Sequence, residues 1–313
     1  MLEALVLEPG WAPLQRLDLD WARRAGVELA VLRLDLVDPQ LSGNKWFKLS
    51  HHLRAAAASG ASGLLSLGGA HSNHLHALAA AGCRFGYATV GLLRGHPVET
   101  PTVADLRRFG MELHWLGYDG YRQRHRPDFW APWLERHPGH YPIPEGGGGL
   151  AGALGCAGMV EQVRGQLGEV GFGEYDGWWL AAGTGTTLAG LAIAEAGQRA
   201  VYGALAGPPS HRVAAEIDSL LAQAGQASHP YRLVDASRDG FGRFDETLAR
   251  FLFETERDSG LPLEPVYTAK ALLALRTFLQ EGGLERGTRL VFVHTGGLQG
   301  RRAAEAELRR LGT

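Results

Sequence analysis

Hydrophobic and polar positions along the chain switch between a period of two and a helical period, and the switches are punctuated by turn residues. Residues 28–36 (ELAVLRLDL) alternate as a strand and run into the turn Asp38-Pro39 and the polar loop Ser42-Gly43-Asn44. A Leu/Ala-rich stretch over 45–58 predicts a helix, 63–67 a short buried strand, and Ser72-Asn73 the start of a second helix over 74–81. The rhythm continues with a strand at 87–93, a helix at 103–109 and a strand at 112–116. Residues 117–149 break it with Pro, Arg, His and aromatic residues and end in Glu145 and four glycines, which marks a crossing between domains. Beyond it lie a helix at 154–167, a strand at 177–182, a glycine loop at 183–187, a helix at 188–196 and a strand at 200–205. Helices at about 211–224 and 268–280, a strand at 289–294 and a Gly-Gly turn complete the pattern, which is that of parallel α/β sheets.

Composition narrows the function classes. With 45% hydrophobic and 20% charged residues and a formal net charge of −2, the 313-residue chain is an ordinary globular protein without the basic excess of a general nucleic-acid binder. Cys83 and Cys156 have no paired spacing and read as small buried residues in a reducing compartment. No apolar run long enough to span a membrane and no basic, apolar leader is present, so a cytoplasmic protein without membrane or nucleic-acid partners is expected. Two biases change the picture. Glycine, at 44 residues, is about twice its usual share. Of the 31 basic residues only Lys45, Lys48 and Lys270 are lysine, which makes each a candidate for amine chemistry that guanidinium cannot perform.

Three segments can carry that chemistry. The loop Gly183-Thr184-Gly185-Thr186-Thr187 lies between a predicted strand and helix, where converging N–H groups, hydroxyls and the helix N-terminus make a phosphate cradle. A dinucleotide site is disfavoured because Leu188 stands where the third glycine belongs and no acid closes the next strand; a P-loop fails for want of a nearby lysine. A single-phosphate ligand fits best. In Ser42-Gly43-Asn44-Lys45-Trp46-Phe47-Lys48 the lysines, three apart at a helix start, lower one another's amine pKa, as a Schiff-base lysine requires. In Gly68-Gly69-Ala70-His71-Ser72-Asn73-His74 the N–H groups, Ser72 and Asn73 can hold a carboxylate, and His71 or Ser72 can move protons. Zinc held by HSNHLH lacks an acid or cysteine to complete it.

The motifs SGNKWFKL, GGAHSNH, the Gly/Thr loop, EPVYTAKAL and VFVHTGG occur in the order and approximate spacing of fold-type II pyridoxal-phosphate enzymes. From about Arg33 to Gly297 the chain resembles the D-cysteine desulfhydrase and 1-aminocyclopropane-1-carboxylate deaminase family. The resemblance implies a tryptophan-synthase-β-like α/β fold in which a large cofactor domain, 1–47 plus 151–313, receives a small inserted domain, 48–150, with pyridoxal phosphate in the cleft. It implies that Lys45 bonds covalently to the cofactor and that Lys48, with Gly183, Thr184, Gly185, Thr186 and Thr187, holds its phosphate. Asn73 would bond the 3′ oxygen, Ser72 the substrate carboxylate or a proton in transit, and Tyr267 would border the ring and substrate. Thr268 or, preferably, Thr295 would face the pyridine nitrogen. A small amino-acid substrate and a homodimer are implied as well.

The departures bear on the substrate. Deaminases of the family resemble PVYEGK where this chain has PVYTAK, so a neutral Thr268 replaces an acid and weakens the electron sink. This favours the desulfhydrase branch, a β-elimination to keto acid and ammonia. His71 stands in place of the family's Gln, and Phe241 in place of a Tyr beside the substrate. Ring opening of the cyclopropane, or a cofactor-binding homologue of different or no activity, are the alternatives. Lys270 has no role that the sequence names.

Overall fold

The two apolar runs that lack alternation, 177–182 and 290–293, are apolar throughout because they are covered on both faces, at the centre of a sheet. The structure is a computed structural model describing residues 7, 9–208, 212–226, 231–238 and 240–312. Its strands are β1 (Leu14–Leu17), β2 (Glu28–Arg33), β3 (Gly63–Gly68), β4 (Ala88–Leu93), β5 (Glu112–Trp115), β6 (His140–Pro142), β7 (Gly177–Ala182), β8 (Ala200–Leu205), β9 (Tyr231–Asp235) and β10 (Arg289–His294). A six-stranded sheet has the order β1-β2-β10-β7-β8-β9 and is parallel except for β1; a four-stranded sheet, β5-β4-β3-β6, is parallel throughout.

Period-two alternation within the buried strands sorts side chains into two layers. Trp178, Leu180, Val291 and Val293 pack with the helix Gly149–Arg164, whereas Trp179, Ala181 and Phe292 face the helices Glu246–Ser259 and Thr268–Gln280. In the smaller sheet Leu64 packs under the helices Asn44–Ala58 and Asn73–Phe85, while Leu65 and Leu67 meet Tyr121 and Phe129. The helix Asn44–Ala58 serves both cores: Phe47 enters the larger, and Trp46, Leu49 and Leu53 the smaller. Each such burial contributes roughly 1.5–3 kcal/mol, so this helix fixes one sheet against the other.

Several sequence expectations shift. The strand expected over 28–36 stops at Arg33 in a 3-10 turn, and the helix at 74–81 extends to Asn73–Phe85. Residues 117–149 contain two short helices and β6, which pairs with β3, so the segment belongs to the smaller sheet as well as leading out of it. The helix expected from 154 begins at Gly149, inside the glycine run. The helix expected at 211–224 runs Val213–Gln223, and residue 211 lies outside the described residues. Cys156 is buried as expected, but Cys83 is exposed on the helix Asn73–Phe85. Among the described residues no helix is long and apolar enough to cross a membrane.

Candidate active site

Loops at the C-terminal ends of parallel strands from both sheets converge, as is usual for ligand sites in such folds. The entry to the helix Asn44–Ala58 depends on Gly43, at φ +72°, where a Cβ would collide with the Thr295 carbonyl. Gly43 N donates to Leu34 O at 3.0 Å and Asn44 N to Thr295 O at 3.1 Å, and Gly296 lies back to back with Gly43. The SGNK and HTGG motifs therefore pack on one another and together set the position of Lys45.

Lys45 Nζ makes a loose 3.4 Å contact with Gly146 O, and Lys48 Nζ lies 3.4 Å from Thr184 Oγ1. Asn44 Nδ2 donates to Thr187 Oγ1 at 2.9 Å, and the Thr184 and Thr186 hydroxyls are 3.0 Å apart. Burial first, and then the charge of Lys48, hold the Lys45 amine well below the usual lysine range; burial also lowers Lys48. Desolvation thus outweighs the mutual repulsion of the two amines that the sequence points to.

Two histidines that the sequence reading left without a role line this cluster. Ser66 Oγ gives its hydrogen to Ile143 O at 2.7 Å, so it accepts from His74 Nε2 at 2.8 Å, which assigns His74 as the Nε2–H tautomer. His74 Nδ1 is left buried without a partner, and burial together with Lys45 and Lys48 keeps the ring neutral. His52 donates through Nε2 to Gly148 O at 3.0 Å, and burial likewise lowers its pKa. The motif HSNHLH contained His74, but its three imidazoles diverge. His71 is exposed and His76 turns to Asp105 at 3.3 Å, so no metal site forms there.

The other expected residues lie along the same cleft. Tyr267 rests against Gly183, where a Cβ would come within 3.1 Å of its ring. Burial, then the charges of Glu264 and Glu145, push its phenol well above the ordinary value. Ser72 caps the helix Asn73–Phe85 by accepting from Leu75 N at 3.1 Å. Asn73 Oδ1 accepts from Gln299 Nε2 at 3.1 Å, and its Nδ2 lies against Gly297. Phe241 is half exposed, edge-on to Tyr267 at 5.8 Å between ring centroids.

Thr268 is fully buried, and its hydroxyl accepts from Glu264 N at 2.9 Å. Its hydrogen has a long contact, 3.2 Å, with Glu264 O. Glu264, which heads the EPVYTAKAL motif but has no role that the sequence names, accepts from Val266, Tyr267 and Thr268 N–H groups at 2.8, 2.7 and 2.6 Å and so fixes the turn that carries Tyr267. Lys270 bonds to none of these groups: its Nζ donates to Ser237 O at 2.7 Å, Gly240 O at 2.8 Å and Ala206 O at 3.5 Å.

The cluster thus joins two lysine amines, three threonine hydroxyls and the start of the helix Thr186–Glu195, and among the described residues no carboxylate is bonded to either amine. That set suits a doubly charged phosphate beside an aldehyde able to react with an amine. Glycines 146, 147 and 183 keep the space open, since a Cβ on each would approach Thr184, Lys48 or Tyr267. A family model described as pyridoxal-phosphate dependent enzyme matches residues 6–296, nearly the whole chain. The chain belongs to the pyridoxal-phosphate-dependent enzymes.

Within that family the enzyme has the fold-type II architecture, and its cofactor is pyridoxal phosphate. It is 29% identical over 305 residues to a Pyrococcus horikoshii protein provisionally named as a 1-aminocyclopropane-1-carboxylate deaminase, covering 94% of this chain and 91% of that one. It is 26% identical to the 1-aminocyclopropane-1-carboxylate deaminase of Mesorhizobium japonicum, covering 92% of each. The crystal structure of an ACC deaminase homologue superposes with a TM-score of 0.84 at 26% identity, covering 97% of this chain and 95% of that one. The processed form of threonine deaminase isoform 2 from Solanum lycopersicum shares the fold, with a TM-score of 0.67 at 14% identity over 97% of this chain and 84% of that one. The enzyme is accordingly a pyridoxal-phosphate-dependent deaminase or lyase.

Proposed function

We propose that the enzyme removes ammonia from a small amino acid, with Lys45 bearing the cofactor and moving the Cα proton. The observation that carries this reading is the buried, loosely held Lys45 amine beside Lys48 and the Gly/Thr loop. The bound cofactor supplies the electron sink for charge formed at Cα. A lysine amine held well below its usual pKa gives up its proton more readily than an exposed lysine and can then accept one from Cα. Lys48, Thr184, Thr186, Thr187 and the N–H groups from Gly183 onward are assigned to the phosphate. Asn73 Nδ2 is assigned to the 3′ oxygen. Ser72, whose oxygen accepts from Leu75 N, keeps its own hydrogen for the substrate carboxylate. Tyr267, held protonated, is a donor to substrate or leaving group rather than a nucleophile. Thr295 and Thr268 remain assigned to the pyridine nitrogen; the Thr268 hydrogen can turn from its long contact with Glu264 O.

The side chains favour β-elimination from a D-cysteine-like substrate. In that reaction the Cα–H bond gives up its proton, the Cβ–S bond breaks with its electron pair on sulfur, and water releases keto acid and ammonia. Neutral Thr268 does not supply the acid expected of a ring-opening site, whereas Phe241 lacks the phenol that the family places there for either reaction. The names of the relatives support the second reading, opening of the cyclopropane of 1-aminocyclopropane-1-carboxylate. Holoenzyme assayed with D-cysteine, β-chloro-D-alanine and 1-aminocyclopropane-1-carboxylate separates them. Keto acid from the first two, with sulfide from D-cysteine, is expected; keto acid from the cyclopropane alone transfers the assignment to the second reading. Failure of all three assigns a homologue of different or no activity. Phe241→Tyr is expected to raise turnover of D-cysteine or of the cyclopropane, and no gain of either means that the missing phenol is not what limits activity. The division into 1–47 plus 151–313 and 48–150, the homodimer and the cytoplasmic location belong to the same proposal.

A further inference from the structure

A second group of side chains lies across one face of the smaller sheet, from β5 to the start of β6. Through β4, Glu112 is level with Leu65 and His114 with Leu67, so both lie on the face of the smaller sheet opposite the one that carries Leu64, Ser66 and His74. Glu112 and His114, two apart on the edge strand β5, point to one face of the smaller sheet. His137, in the turn after the helix Ala131–Arg136, reaches the same face, with its ring centroid 5.6 Å from that of His114. His140, the first residue of β6, follows at 5.3 Å from His137 and lies over Gly63, where any Cβ would collide with its ring. Trp133 closes the other side at 5.1 Å from His114.

One ligand atom from each of Glu112, His114 and His137 lies within 4.8 Å of the others. His114 Nε2 sits 2.7 Å from Glu112 Oε1, so the carboxylate already faces the imidazole. His137 Nε2 is buried and has no hydrogen-bond partner, and His140 Nδ1 is in the same condition. A buried ring nitrogen without a partner is destabilising, and a cation between it and the Glu112–His114 pair would satisfy it.

We propose that Glu112, His114 and His137 form a divalent transition-metal site of the zinc type, binding through one carboxylate oxygen and two neutral imidazole nitrogens with a fourth position open to water. Zinc bonds of about 2.0–2.2 Å set tetrahedral ligand atoms roughly 3.3–3.6 Å apart, so small side-chain rotations close the present set onto a metal. Two imidazoles and a carboxylate suit zinc, cobalt or nickel, and not the all-oxygen preference of magnesium or calcium. The metal would tie the edge strand β5 to the 131–140 segment, away from the lysines, and its role is to brace the smaller sheet.

The test uses untagged holoenzyme treated with a chelator and then titrated with zinc chloride, cobalt chloride or magnesium chloride by calorimetry. Binding of one zinc per chain is expected, with a rise in the thermal midpoint, a cobalt absorption spectrum of low-coordinate type, and no response to magnesium. His137→Ala and Glu112→Gln are each expected to weaken zinc at least about tenfold while leaving the cofactor's visible band unchanged, which shows that the variants are folded. Zinc affinity equal in wild type and both variants, whether from absent binding or from binding elsewhere, overturns the proposal, as does an equal response to magnesium. Loss of the cofactor band alone bears on the lysine cleft and not on this site.

Discussion

Lysine is scarce in this chain, and its three occurrences differ in what surrounds the amine. Lys45 and Lys48 share a desolvated cleft, while Lys270, buried elsewhere, gathers carbonyls from residues 206, 237 and 240. Those bonds hold the segment leading to Phe241, and burial, then the nearby Arg238, lower the Lys270 amine to about 8. A lysine whose folded pKa lies below its unfolded value binds fewer protons when folded, so stability rises with pH between about 8 and the ordinary 10.5. Denaturation of wild type and Lys270→Met across that window is expected to show the wild type gaining relative to the variant as pH rises; a flat difference contradicts the assignment. Ser66→Ala leaves the buried His74 Nε2–H without an acceptor and is expected to cost about 1–3 kcal/mol by urea unfolding. Lysine scarcity made the amines legible in the sequence. His74, Glu264 and the Lys270 contacts were not, because each depends on partners brought close only by folding.

Among the elements, the strands legible as apolar runs are the central ones, β3, β4, β7, β8 and β10, whose two faces are both covered. The edge strands β1, β6 and β9 have no clear signal in the sequence: β6 is three residues long with a proline, and β9 has only half-buried and exposed positions without regular alternation. The glycine run 146–149 reads in sequence as a break, yet its last member starts a sixteen-residue helix and its first two face Thr184 and Lys48. Gly43 is the residue on which the Lys45 helix turns. Gly43→Ala, strained at φ +72° and blocked by backbone, is expected to destabilise by about 1–3 kcal/mol and to weaken cofactor binding. Wild-type midpoint and cofactor affinity in that variant contradict the role.

At the scale of the molecule, one helix joins two mostly parallel sheets, and the loops that meet around its first turn come from residues 42–48, 69–73, 146–149, 183–187 and 295–299. These stretches are distant in sequence, and their order and chemistry were readable before the fold. Their convergence required it. The homodimer is tested by light scattering of the holoenzyme, where a monomer mass contradicts it. The central claim, that Lys45 bears the cofactor, is tested most directly by borohydride reduction of the holoenzyme followed by peptide mass mapping. A reduced pyridoxyl adduct on Lys45, lost in Lys45→Ala, is predicted; an adduct on Lys48 or Lys270 in its place, or no adduct on any lysine, contradicts the account.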